Sequence, residues 1–401
     1  MAGKRIGHSV DTNVIVCEDS QPGQGSVLVT RNDSRNQGTW SKLNETHFDP
    51  GFLGDFSEFF FGQGEDGVAI FDGTSTVLGL VPSSNTYTLT ADISCTAIHV
   101  LTGVTIVTNG YRLRARDICR VYGTAVIHAD GSDGNNGAGS TGGAKRSGPS
   151  GGQLGGGGDG GKGGDGGVAP NGNGQDGETS PTLVNARGGA GGAGGNGGSV
   201  GGGGSGGTGG TGPITATTAK VGNFITGQGM VAWASGSFVT IKGGNGGGGG
   251  AGGGANAGTA GGGGGGGGAG GGVVLITAGV LEADAGWTGR ISANGGRGGN
   301  GAGTAASVGG DGGGGGGGFV MIQVGELRGP LYVGVNITAN GGQPGSGNAA
   351  DAAAAGSQGT VIVLNASNRY VSPPEFVFTS MPRPARKRNP VPRSYSTDLF
   401  T

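Results

Sequence analysis

The pentapeptide Ile127-His-Ala-Asp-Gly131 recurs as Ile291-Ser-Ala-Asn-Gly295 and as Ile337-Thr-Ala-Asn-Gly341, and each copy opens onto a glycine-rich stretch. Those stretches run in turn into Val273-Val-Leu-Ile276, Phe319-Val-Met-Ile322 and Val361-Ile-Val-Leu364. Ile-x-Ala and the β-branched tetrapeptides read as strands, and Asx-Gly reads as a turn. The repeated plan is therefore strand, Asx-Gly turn, Gly-rich loop out and back, strand.

The excursions have their own period. From Arg187, non-Gly residues fall at Ala190, Ala193, Asn196, Ser199, Ser205, Thr208 and Thr211, every third position apart from Gly202; Val200 alone breaks the intervening glycines. Asp159, Lys162, Asp165 and Val168 keep the same spacing. Three matches neither the 3.6 of an α-helix nor the 2.0 of a strand. It is the period of a polyproline-II-type helix, which has no internal hydrogen bonds. Glycine copies packed side by side can exchange N–H···O=C bonds, because no Cβ holds the backbones apart. Each GGx triplet then turns two faces to neighbours and sends x outward. A flexible linker would have no reason to keep phase.

Composition supports this plan. Of 401 residues 107 are Gly, whereas only 33% are hydrophobic and 12% charged, which excludes a single helical or α/β core. Pro is too scarce, at 15, for collagen. Residues 1–130 hold 15 Gly, 131–360 hold 92 and 361–401 none, so the chain is tripartite. A net charge of −2 recruits neither nucleic acid nor an anionic membrane. Cys17, Cys95 and Cys119 form no metal spacing and, being odd in number, no disulfide framework. No signal-peptide or membrane-spanning run is evident, so cytoplasmic synthesis is expected.

Short alternating segments between residues 68 and 130 (Tyr87-Thr-Leu-Thr, Ala97-Ile-His-Val, Val104-Thr-Ile-Val-Thr, Tyr111-Arg-Leu-Arg-Ala, Thr124-Ala-Val-Ile-His) predict stacked β rungs or a sandwich. Upstream, Phe52, Phe56, Phe59, Phe60 and Phe61 form either a small core or a docking surface for another subunit. The expected fold is all-β with irregular structure, a packed polyglycine-II array and little or no α-helix. Its segments are 1–67 for attachment and assembly, 68–130 as a β-strand domain, 131–365 as the Gly-rich body and 366–401 as an extended Pro/Arg-rich tail.

Catalytic chemistry finds little to stand on. His8, His47, His99 and His128 are scattered, and GxGxxG arises by chance in so much glycine. Gly160-Gly-Lys-Gly-Gly-Asp165 opens like a calcium nonapeptide but has Gly167 at the apolar position. Glu58, Glu65 and Asp66 are the nearest approach to a glycan-cleaving carboxylate pair. No enzyme, metal or cofactor is expected.

The run Val104-Thr-Ile-Val-Thr-Asn-Gly-Tyr-Arg-Leu-Arg-Ala, followed by Ile127-His-Ala-Asp-Gly131 and the Gly-rich expanse, resembles glycine-rich fibre and minor tail proteins of tailed bacteriophages. The body also resembles the distal tail-fibre adhesins of T-even-like phages, whose polyglycine-II helices carry receptor-binding loops. The resemblance covers roughly residues 80–365 and implies a virion protein, structural and adhesive. A non-adhesive head-fibre, decoration or spacer protein is the alternative, and a glycan depolymerase a further one. Partners expected are further copies of the chain (a trimer through residues 1–130), other virion proteins and a host-surface glycan or protein. Loops between Gly runs are where recognition is expected. Asn171, Asn173, Gln175 and Asp176 suit sugar hydroxyls, while Phe224, Met230 and Trp233 offer stacking surfaces or a local core.

Overall fold

The structure, a computed structural model, describes residues 61–181, 242–303, 307–347 and 353–365, together with the backbone of seven further strands. Four of those form an antiparallel sheet in chain order: β1 (Lys4–Ser9), β2 (Thr12–Val16), β3 (Ser26–Thr30) and β4 (Gly38–Lys42). The next six are β5 (Val68–Phe71), β6 (Thr86–Thr88), β7 (Ile93–Val100), β8 (Thr105–Val107), β9 (Arg112–Val121) and β10 (Val126–His128). A three-stranded antiparallel sheet follows, of β11 (Ile225–Thr226), β12 (Gly229–Ala234) and β13 (Ser237–Thr240). The last five are β14 (Val273–Ala283), β15 (Arg290–Ser292), β16 (Phe319–Arg328), β17 (Ile337–Thr338) and β18 (Thr360–Asn365). No helix appears among these elements, as composition led one to expect.

Most of the described strands belong to two parallel sheets. One has the order β18-β16-β14-β9-β7-β5 and the other β17-β15-β10-β8-β6. Each coil of the chain gives one strand to each sheet, so successive coils stack as rungs. Register is set by burial. Tyr87, Ile106, Ile127, Ile291 and Ile337 stand opposite one another across the second sheet, and all are fully buried. Ile93, Leu113, Ile276 and Ile322 form a matching row in the first, within the same core. Burying each such side chain contributes about 1.5–3 kcal/mol, and a one-residue slip would forfeit a whole row. The Ile of the repeated pentapeptide is this rung position.

The rungs explain where the glycine goes. Between β8 and β9 the link is a tight turn: Asn109 and Gly110 both have positive φ, and the Tyr111 N–H donates to the Thr108 carbonyl at 2.9 Å. The equivalent links β10–β14, β15–β16 and β17–β18 swell into the Gly-rich excursions. All three therefore leave and re-enter along one side of the stack. Both sheets contain strands from either side of residue 130.

Candidate functional site

The excursions bond to one another with a period of three. Gly131, Gly134 and Gly137 donate to the carbonyls of Asn294, Arg297 and Asn300, so those two runs are parallel. Gly296, Gly299 and Ala302 donate to Ala269, Gly266 and Gly263, so that pair is antiparallel. The run Gly261–Gly272 lies at the centre, and every residue in it donates. Gly261, Gly264, Gly267 and Gly270 bond to residues 167, 164, 161 and 158. The next phase bonds to 307, 310, 313 and 316, and the third to 139, 135, 132 and 129. A run surrounded this way has no outward face. That is the physical reason for the eight consecutive glycines Gly261–Gly268.

Runs at the rim have one outward phase, where side chains occur, and its N–H groups lack a neighbouring carbonyl. Asx side chains supply the acceptor. The Asn294 N–H donates to Asp130 Oδ1 at 2.7 Å, Arg297 to Asp133 Oδ1 at 2.7 Å and Asn300 to Asn136 Oδ1 at 2.8 Å. One run further, Asn340 donates to Asn294 Oδ1 at 2.7 Å and Ser346 to Asn300 Oδ1 at 2.8 Å. Asp165, the Asp of the calcium-like opening, accepts from the Gly142 amide, and Asp159 two triplets earlier accepts from the Gly148 amide. The Asx of the pentapeptide is thus a rim acceptor. Sequence reading took these residues as turn formers; their recurrence at every third position was the signal for this role.

Where the chain enters the array, Asp130 Oδ2 accepts from Ser292 Oγ at 3.0 Å and from the Arg290 guanidinium at 3.1 Å. His128 Nδ1 accepts the Asp130 N–H at 3.1 Å. Burial lowers the His128 pKa, outweighing the pull of Asp130, and Arg290 adds to the lowering. Ser292 bonds the carboxylate rather than the imidazole, so the cluster holds a strand end and forms no nucleophile–base pair. Among the described residues no three His, Cys, Asp or Glu side chains are placed to hold a metal ion.

Away from the sheets, the runs reverse at a common far end. Ala138 and Thr141 exchange backbone bonds across one turn, the Gly172 N–H closes a second on Val168 O, and Asn256 and Thr259 close a third. Gly309 donating to Ala302 closes a fourth. Cross-bonds Gly263 to Gly139, Gly166 to Ser140, Gly261 to Gly167, Ala255 to Gly172 and Ala302 to Gly263 bring these turns together. Their exposed side chains are small: Ala138, Ser140, Thr141, Ala169, Pro170, Asn171, Ala257, Thr259 and Ala260, with Val168 at 79% exposed.

The candidate residues separate in this frame. Asn171 lies in a far-end turn at φ 59°, and Asn173 is exposed just beyond it. Gln175 and Asp176 are exposed further back on the returning run, where the Gln175 N–H donates to Asp165 O. The loop from Pro213 to Trp233 is rooted at the other end. Its flanks, Ser180 bonding Asp159 O and Gly243 bonding Gly156 O, stand beside the start of β14. Met230 and Trp233 fall in β12, paired with Ile225 and Phe238, and their side chains lie outside the described residues, as does Phe224. Phe61 is half-buried where the described core begins; Phe52, Phe56, Phe59 and Phe60 lie outside it, as does the run Arg187–Thr211. No family model, no curated protein and no solved structure matches the chain.

Proposed function

We propose that the chain is a virion structural protein of a tailed bacteriophage, a tail-fibre or tail-tip subunit that contacts the host surface, with its Gly-rich runs packed as polyglycine-II helices. The observation that carries it is the gathering of the exposed turns at one end of a cross-bonded array whose other end is fixed to the rungs. At about 3.1 Å per residue, the thirteen residues Gly243–Ala255 would hold those turns roughly 40 Å from the sheets. Period-three bonding in all three phases supports the polyglycine-II reading, since no other single-chain helix points its N–H groups outward in three directions. A stiff projection tipped with exposed turns suits attachment, because rigid scaffolds carry recognition on their loops. Its partners on this reading are further copies of the chain, as a trimer through residues 1–130, neighbouring virion proteins and a host-surface molecule.

A spacer role is the second reading, favoured by the small side chains of the far-end turns. Adsorption separates the two. Particles whose subunit carries Gly-Ser in place of residues 168–173 are expected to lose host adsorption while still assembling. Unchanged adsorption by assembled variant particles refutes the adhesive role and leaves the spacer.

A further inference from the structure

The first sheet has an outer face that is covered. Along its strands, alternate residues point away from the core that holds Ile93, Leu113, Ile276 and Ile322. On that outer side Leu275, Phe319 and Met321 are buried with Val273 and Leu154 in a second apolar cluster. One row further along, Ser94, Arg114, Thr277 and Gln323 stand opposite one another across β7, β9, β14 and β16. Thr277 is 2% exposed, and both its Oγ1 and the Oε1 of Gln323 are buried without a hydrogen-bond partner. A sheet face open to water would solvate these groups, and a polar cover would bond them. What lies over this row is therefore apolar.

The described chain begins on the same row. At the edge of β7 the Asp66 N–H donates to Ser94 O at 2.9 Å, and Ser94 Oγ donates to Glu65 Oε2 at 3.1 Å. By Gly62 the backbone lies on the outer face: a Cβ there would stand 2.5 Å from Ser94 Oγ and 3.3 Å from Arg114 Cβ. From Arg114 the row reaches Gln323 in two strand spacings, about 10 Å, or about three extended residues. Going back along the chain, the next three residues are Phe61, Phe60 and Phe59, with Phe56 and Phe52 behind them. The stretch 182–241, rooted beside the start of β14, is rich in Thr, Ser and Asn, which would offer Thr277 and Gln323 the partners they lack.

We infer that the outer face of the first sheet, over Leu275, Thr277, Met321 and Gln323, is the docking site of the chain's own Phe52–Phe61 segment. The aromatic cluster closes one subunit, and contact between copies falls to other parts of residues 1–130.

Thr277→Cys in a full chain carrying Cys17→Ser places a thiol beneath the cover, and maleimide labelling counted by mass reads its access. Cys95 and Cys119 are buried in the core, so they label only if the chain unfolds. With the aromatic residues intact, no thiol should label. Adding Phe52→Ser, Phe56→Ser, Phe59→Ser and Phe60→Ser should speed labelling of the introduced thiol on the order of 100-fold while Cys95 and Cys119 stay closed. Should the four serines expose those two as well, Phe59→Ala with Phe60→Ala is read in the same way. An introduced thiol that labels freely beside intact aromatic residues, or stays closed in a folded serine variant, overturns the inference. So does opening on dilution, which assigns the cover to a second copy. Opening by a Gly-Ser replacement of residues 182–241, with the aromatic residues intact, overturns it too.

Discussion

Gly267→Ala places one methyl group at the centre of the array. A Cβ on Gly267 would stand 2.0 Å from the Gly247 carbonyl oxygen and 2.6 Å from its carbon, where ordinary contact begins at 3.4 Å. The two runs must part by roughly 1.4 Å, which stretches hydrogen bonds of ordinary length past their useful range. Three bonds join these runs at and beside that crossing: Gly247 to Gly268 at 2.8 Å, Gly250 to Gly265 at 2.7 Å and Gly244 to Gly271 at 2.8 Å. At about 1–1.5 kcal/mol each the loss is about 3–5 kcal/mol. Gly258→Ala is the control. Nothing lies within 4 Å of a Cβ there and its φ is not left-handed, so alanine is neutral or stabilises by up to about 1 kcal/mol through the unfolded chain. Urea unfolding followed by Trp287 fluorescence, with Trp40 and Trp233 replaced by Phe, compares the two. Trp287 is buried in the core that the central run enters directly at Val273, and its Nε1–H donates to Ala125 O. Equal midpoints for both variants would refute the packing argument.

Asn294→Ala removes the acceptor of the Asn340 N–H and is expected to cost about 1–2 kcal/mol in the same assay, whereas Lys162→Ala on the exposed phase stays within about 0.5 kcal/mol. Acid should weaken the fold. His128 and His99 have pKa values lowered below the usual 6.5, mainly by burial, so the unfolded chain binds the protons more readily. Their contribution is complete above pH 6.5 and is lost as the pH falls through the folded values; His128→Gln should flatten the slope of urea midpoint between pH 7.5 and 5, and an unchanged slope would count against it. Burial pushes the Cys95 and Cys119 thiols up to about 12, so in a Cys17→Ser background Ellman's reagent at pH 8 should label nothing until the chain unfolds.

The strand repeats were legible because each carries its own local code. Alternation marked the rungs, Asn109-Gly110 marked a turn that the backbone indeed makes with two positive φ values, and Ile127, Ile291 and Ile337 occupy one buried row. That strands more than 160 residues apart, such as β10 and β15 (Val126 opposite Arg290) or β9 and β14 (Arg112 opposite Leu275), are neighbours was not legible, since pairing across an excursion is written at neither end alone. Period three announced which residues face outward, as Asp159, Lys162 and Asp165 do. It did not announce the central run, because Gly261–Gly268 has no side chain to mark a phase. Candidate recognition residues were chosen by chemistry, and chemistry does not say which end of a run a loop occupies. Asn171 and Asn173 lie at the far end and the flanks of the Phe224–Trp233 loop at the near one, a separation fixed by how many triplets each run contains.

Backbone hydrogen exchange over Gly261–Gly272 tests the array most directly, because a linker and a packed run of the same sequence differ at every amide. All twelve N–H groups are bonded to neighbouring runs, and Gly261–Gly272 is buried throughout. Exchange followed by mass spectrometry on peptides covering this run is expected to show protection matching that of the core strands β9 and β14, with the exposed turn Ala257–Ala260 exchanging orders of magnitude faster. Exchange of Gly261–Gly272 at the rate of an unstructured glycine peptide, while β9 and β14 remain protected, would contradict the account.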